Sequence, residues 1–188
     1  MPSDTFNPTD KSLVGESRSR EESWMRKSAL HYLGQRSTSV ANLRRVLARR
    51  AKRRLDPEIE QDVGAMIERT VEFCVRNGFV DDTAFVEGRI HSGRSRGLSM
   101  RRIGAALGAK GVDRALVAQA FDTDDRDERE EAAAVRLAQR KRIGPWRRAD
   151  RDYDPHKEVG VLARGGFSIS LAKRIIGLTI EEADEIGR

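Results

Sequence analysis

The chain has 188 residues, 38% apolar, 35% charged and 5% aromatic, with a formal net charge of +6 and a pI near 9.9. That length allows one domain or a few joined modules, no apolar run approaches the roughly 20 residues that cross a bilayer, and one cysteine, Cys74, excludes an internal disulfide. The cationic excess permits a polyanionic partner without requiring one.

Five prolines and two tyrosines among many Ala, Arg, Leu and Glu residues favour helix over sheet. The beginning of the chain shows no apolar stretch of the secretory kind, so no secretory signal is expected. Residues 1–21 are polar and read as a disordered tail. A first helix is expected from Glu22 to Gln35, with Trp24, Ala29, Leu30 and Leu33 as core contacts. The second runs from Val40 to about Arg50 and ends in a basic cluster, Arg49, Arg50, Lys52, Arg53 and Arg54. Cations suit a helix C-terminus, and the same cluster suits a phosphate backbone. The third helix opens on Asp56 as cap and Pro57 at N1, carries the stripe Ile59, Val63, Ile67, Val71 and Cys74 widened by Met66 and Phe73, and stops at Gly78. Cys74 therefore reads as a packed thiol. Gly64 within that helix costs about 1 kcal/mol against Ala, and a close helix crossing would account for it.

Residues 78–122 hold the most marked pattern. Asp81 caps a helix whose Val80 and Phe85 have the spacing of a hydrophobic staple, and the helix stops at Gly97. Ser99 caps a second helix bearing Ile103, Ala106 and Leu107, closed by Gly111; Asp113 caps a third bearing Leu116, Val117, Ala120 and Phe121. A further helix begins near Asp124, with acids at its start and RLAQRKR at its end, as the helix dipole favours. Ile143-Gly144-Pro145-Trp146 breaks it, and short helices are expected at His156–Arg164 and Ser170–Ile176. The last residues, TIEEADEIGR, read as a frayed acidic tail.

These elements repeat. Arg36-Ser37-Thr38-Ser39 matches Arg96-Gly97-Leu98-Ser99 at an offset of 60, where Val40, Leu43 and Leu47 fall on Met100, Ile103 and Leu107. At an offset of 57, Asp56 and Ile59 fall on Asp113 and Leu116. Leu107-Gly108-Ala109-Lys110-Gly111-Val112 returns at an offset of 55 as Leu162-Ala163-Arg164-Gly165-Gly166-Phe167, followed by Ser168 and Leu171 in the places of Asp113 and Leu116. The expected fold is all-α: a curved, elongated tandem array of three three-helix modules at 22–77, 78–122 and 123–178, with an acidic tail at 179–188.

No catalytic constellation stands out. His31, His91 and His156 are far apart, without the spacing of metal ligands. Asp81-Asp82 and Asp124-Asp125 could serve a metal-dependent nuclease, but both pairs open helices, where acids are expected as caps. Gly104, Gly108 and Gly111 lack the Walker spacing. No enzyme activity, cofactor or metal is expected. A duplex-reading helix-turn-helix protein is the alternative, though no helix carries Asn, Gln and Arg at base-reading spacing. What recurs is basic surface: Arg49, Arg50, Arg53 and Arg54; then Arg94, Arg96, Arg101, Arg102 and Lys110 around Gly97; then Arg140, Lys141, Arg142, Arg147 and Arg148. The core positions of Ile103 and Leu107 place Arg101 and Arg102 outward.

Over residues 22–177 the chain resembles the RecX family of recombinase regulators. The resemblance rests on Gly78-Phe79-Val80-Asp81-Asp82-Thr83-Ala84-Phe85, Arg96-Gly97 and Leu107 to Val112, with Ala29 to Leu33 and Arg36 before them and Arg164 to Ser168 after. Two departures lie at turns: Ala51 where a glycine is usual, and Gly165 where a second arginine is common. The resemblance implies a curved helical array that binds along the RecA–single-stranded DNA filament. Such proteins restrain RecA's ATP hydrolysis and strand exchange, are not enzymes, and act in the cytoplasm. It implies RecA and single-stranded DNA as partners of the basic residues; separately, no membrane partner and a monomeric protein are expected.

Overall fold

The computed structural model describes residues 11–54, 60–122, 126–148 and 154–187, with side chains from Arg20 onward and, in the third helix, from Val63. Among them are ten α-helices, one 3₁₀ turn and no strand. The helices are α1 (Lys11–Gln35), α2 (Val40–Arg54), α3 (Glu60–Arg76), α4 (Asp82–Ser95), α5 (Met100–Ala109), α6 (Arg114–Phe121), α7 (Arg126–Lys141), α8 (Pro155–Gly165), α9 (Ile169–Ile176) and α10 (Ile180–Gly187); the 3₁₀ turn spans Gly144–Trp146. The chain divides into two compact units, Met1–Asp82 and Thr83–Arg188.

In the first unit α1, α2 and α3 bury Met25, Ala29, Leu43, Leu47, Met66, Val71 and Cys74, all at most 1% exposed. Trp24, Tyr32, Leu33, Val63 and Phe73 flank this core. The core face of α1 is centred on Met25 and Ala29, which leaves the expected contact Leu30 39% exposed. The helix also starts at Lys11, so the expected polar tail is helical from there. Asp56, Pro57 and Ile59 lie outside the described residues. Nothing stands within 4 Å of a side chain built at Gly64, so no close crossing accounts for that glycine. Between α1 and α2 the buried Thr38, Ser39 and Asn42 satisfy one another: Asn42 Nδ2 donates to Thr38 Oγ1 (2.8 Å) and to Tyr32 Oη (3.1 Å), and its amide donates to Ser39 Oγ (3.1 Å).

The second unit holds two cores. Phe85, Val86, Ile90, Ile103, Leu107, Val112 and Phe121 join α4, α5 and α6. Ala133, Ala134, Leu137, Ala138, Leu162, Phe167, Ala172 and Ile175 are prominent in the other, which joins α7, α8 and α9. Val80 belongs to the first unit's core while Phe85 belongs here, so the two hydrophobes around the start of α4 serve separate cores. Ala106, expected on the core face of α5, is exposed.

One ending closes five helices. The residue in the left-handed region is Gly78, Gly97, Arg142, Gly111 or Gly166, at φ 68°, 68°, 54°, 77° and 101°. The next amide then reaches back to the carbonyl five positions earlier: Phe79 to Cys74, Leu98 to Gly93, Ile143 to Ala138, Val112 to Leu107, Phe167 to Leu162, at 2.9–3.2 Å. Gly97 meets a second demand. A Cβ there would stand 2.8 Å from the Leu137 amide nitrogen and 2.9 Å from the Ala133 carbonyl, so the turn lies directly on the α7 backbone.

The acidic terminus is not a frayed tail. Thr179 and Glu182 form a reciprocal cap, the Thr179 amide donating to Glu182 Oε2 (2.8 Å) and the Glu182 amide to Thr179 Oγ1 (3.2 Å). The helix it opens, α10, packs on α7 with Ala183 fully buried.

Candidate polyanion interface

Three of the arginines expected on the surface are buried or half-buried and engaged within the protein. Arg94 is 8% exposed and lies 5.8 Å above the Phe121 ring. Arg147 makes a two-pronged ion pair with Glu158, at 2.8 Å and 2.6 Å, and Glu158 also accepts the Gly144 amide (3.0 Å). That clasp fixes the 3₁₀ turn. Arg50 is half-buried, donates to the Ser28 carbonyl (2.7 Å) and hydroxyl (2.8 Å), and lies over the Tyr32 ring. Each is long enough to bury its stem and find a partner inside, which helical spacing alone does not reveal.

The other predicted cations remain accessible. Arg49 and Arg53 are exposed on α2, and Arg54 is exposed while stacking on Trp24 at 5.3 Å. Arg101, Arg102, Lys110 and Arg148 are exposed, as are Gly78, Phe79, Asp81 and Gly111 of the patterned stretch. Asp82 is half-buried and accepts the Val40 amide at 2.8 Å, a cap's task and not a metal ligand's. Asp124 and Asp125 lie outside the described residues. Among the described residues no cluster of three or more His, Cys, Asp or Glu forms. Burial pushes the Cys74 thiol up, away from the reactive thiolate.

Ser99 links two helix ends. Its hydroxyl accepts the Arg102 amide (3.2 Å) at the start of α5 and donates to the Gly165 carbonyl (2.8 Å) at the end of α8. A side chain on Gly165 would meet Leu137 Cδ2 at 2.6 Å, so that methyl group would have to move to admit one. Beside it, the Glu130 carboxylate accepts the Met100 amide at 3.0–3.1 Å. Desolvation raises the Glu130 pKa, against the Met100 hydrogen bond and the Arg94 and Arg126 charges that lower it. Arg101 shares a cavity of about 510 Å³ with Arg114, Arg126, Asp127 and Glu130, where acids offset the cations.

A larger cleft, about 700 Å³, opens where α4, α7, the 3₁₀ turn and α10 meet. Arg96, Arg136 and Arg140 line it with Gln139, Trp146 and Asp184. Arg96 is braced by Ser92, donating from Nε to its carbonyl and from Nη2 to its hydroxyl, both at 3.0 Å. Arg140 Nη1 donates to the Arg96 carbonyl at 2.5 Å. Sequence reasoning missed Arg136, Gln139 and Trp146 as site residues and met Arg140 only as part of a basic run. The four-residue spacing of Arg136 and Arg140 was a usable signal for one helical face; the approach of α10 was not visible.

Helix triplets with recurring endings place the molecule among helical-repeat proteins. The domain family described as "RecX, second three-helix domain" matches residues 81–120. The chain is 35% identical over 173 residues to "Regulatory protein RecX" of Agrobacterium fabrum, covering 91% of both chains. It is 34% identical over 175 residues to the protein of that name from Myxococcus xanthus, covering 90% of this chain and 94% of that one. The chain belongs to the RecX family of regulatory proteins. Its fold is also that of the crystal structure of regulatory protein RecX, with a TM-score of 0.65 at 17% identity over 93% of this chain and 80% of that one. RecX from Lactobacillus salivarius gives 0.59 at 18% identity over 89% and 99%. No described helix is long and apolar enough to cross a membrane.

Proposed function

We propose that this protein is a non-enzymatic regulator that binds the RecA–single-stranded DNA filament and lowers its ATP hydrolysis and strand exchange. The observation that carries the reading is the exposed cation set that remains beside the buried Arg94 and the half-buried Arg50 and Arg147: Arg49, Arg53, Arg54, Arg96, Arg101, Arg102, Lys110 and Arg148. Family membership supports the partner. A filament displays repeated phosphates and repeated protein surface, and several separated cations can engage both.

The test is a titration into RecA hydrolysing ATP on single-stranded DNA, comparing the parent with a triple variant, Arg101→Ala, Arg102→Ala, Lys110→Ala. The variant keeps its helical circular dichroism, because these side chains contribute little buried apolar surface, and it inhibits more weakly. Each lost single-strand phosphate contact flattens the log–log salt slope by roughly 0.7. An inhibition curve unchanged by the three substitutions removes this edge from the interface; no inhibition by the parent protein overturns the function.

A further inference from the structure

We propose that the cleft lined by Arg96, Arg136, Arg140, Gln139 and Trp146 is a nucleotide site, taking one unit of a single strand with its phosphate on the arginines and its base against the indole. The inference rests on the reading that this protein meets single-stranded DNA, and gives that contact a location. Three observations converge on it.

The first is charge. Arg96, Arg136 and Arg140 line the cleft together with one carboxylate, Asp184. In the neighbouring cavity, by contrast, Asp127 and Glu130 counter the basic residues. The second is positioning. Arg96 and Arg140 are held by hydrogen bonds to Ser92 and to the Arg96 carbonyl, which use one or two of the five donors that each guanidinium carries. An arginine already oriented loses less freedom on meeting a phosphate oxygen. The third is the aromatic wall. Trp146 sits on the 3₁₀ turn that the Arg147–Glu158 clasp fixes, half-buried and packed against the α7–α9 core. An indole and several arginines lining one cleft supply the two elements that hold an unstacked base and its backbone. A volume near 700 Å³ is enough to admit a nucleotide.

The experiment uses the full chain carrying Trp24→Phe, so that Trp146 is the remaining indole of the two. Adding oligodeoxythymidylate quenches its emission; dTMP quenches it at higher concentration, and inorganic phosphate competes without quenching. Arg136→Ala with Arg140→Ala weakens oligonucleotide binding by about tenfold or more, while Arg136→Lys with Arg140→Lys recovers part of it. Asp184→Asn, on the same cleft, tightens binding by a few-fold because it removes a repelling charge. Melting curves for each variant show whether the fold is kept. If a labelled oligonucleotide binds with parental affinity to the alanine pair and leaves Trp146 emission unchanged, the cleft is not the site, although filament regulation can stand. If the alanine pair loses RecA inhibition yet binds bare strands normally, the arginines serve an acidic protein surface and the nucleotide assignment is overturned.

Discussion

Ser99 performs two tasks with one hydroxyl, and that sets the consequence of removing it. Ser99→Ala leaves the Arg102 amide without its cap and the Gly165 carbonyl without a donor, in a site with no solvent exposure. A buried polar group left unsatisfied costs about 1–3 kcal/mol, and the lost cap adds about 1. Gly97→Ala is expected to be at least as damaging. A positive φ costs a residue with a Cβ about 1–2 kcal/mol, and here that Cβ would also strike the α7 backbone. Both are read by chemical denaturation. A loss under about 1 kcal/mol for Ser99→Ala would mean that both groups find other partners, and for Gly97→Ala that the turn shifts away from α7 freely. Arg142 shows the converse. It holds φ 54° at the end of α7, where the other four endings of this kind use glycine, so Arg142→Gly is expected to leave stability unchanged or raise it slightly.

At the scale of the element, helix positions were legible because their signals are local. Ser99 and Asp113 cap as their spacing says, and Gly78, Gly97, Gly111 and Gly166 mark helix ends wherever they fall. The helix α10 carried an equally local signal, Thr179 three residues before Glu182, but the acidic composition around it suggested a tail. Which side of a helix a long cation takes was not legible. Arg94 is buried because Phe121 and Glu130 come to it from other helices, and Arg147 because Glu158 does. The cleft was illegible for the same reason, since it needs α4, α7 and α10 together. Glu130 gives this packing a pH signature. Its folded-state pKa is raised, so the folded protein holds the proton more tightly than the unfolded chain does. Stability then falls as pH rises from the ordinary carboxylate range through the raised value. Glu130→Gln removes that slope. Relative to the parent, the variant should gain melting temperature between acidic and neutral pH; parallel curves would show that burial does not control this carboxylate.

At the scale of the whole molecule, the strongest test concerns which parts of the second unit can fold without one another. The helix triplet α4–α6 has its own apolar cluster, yet four of its features need partners beyond residue 122. Met100 gives its amide to Glu130, Ser99 gives its hydroxyl to Gly165, Gly97 rests on the backbone of Ala133 and Leu137, and the Arg96 carbonyl accepts Arg140. Short helices are marginal in water unless tertiary packing supports them. In helical repeats that support comes largely from the neighbouring repeat. A fragment of residues 82–122 is therefore expected to be weakly helical and to melt without a defined midpoint. A fragment of residues 82–188 keeps both cores and every one of these bonds, and should melt cooperatively. Circular dichroism with temperature distinguishes the two. Sigmoidal melting of the short fragment would mean that α4–α6 is a self-sufficient domain, and the bonds to α7 and α8 would then be ornaments on a finished fold. A gradual transition in the long fragment would mean that its two cores do not support each other.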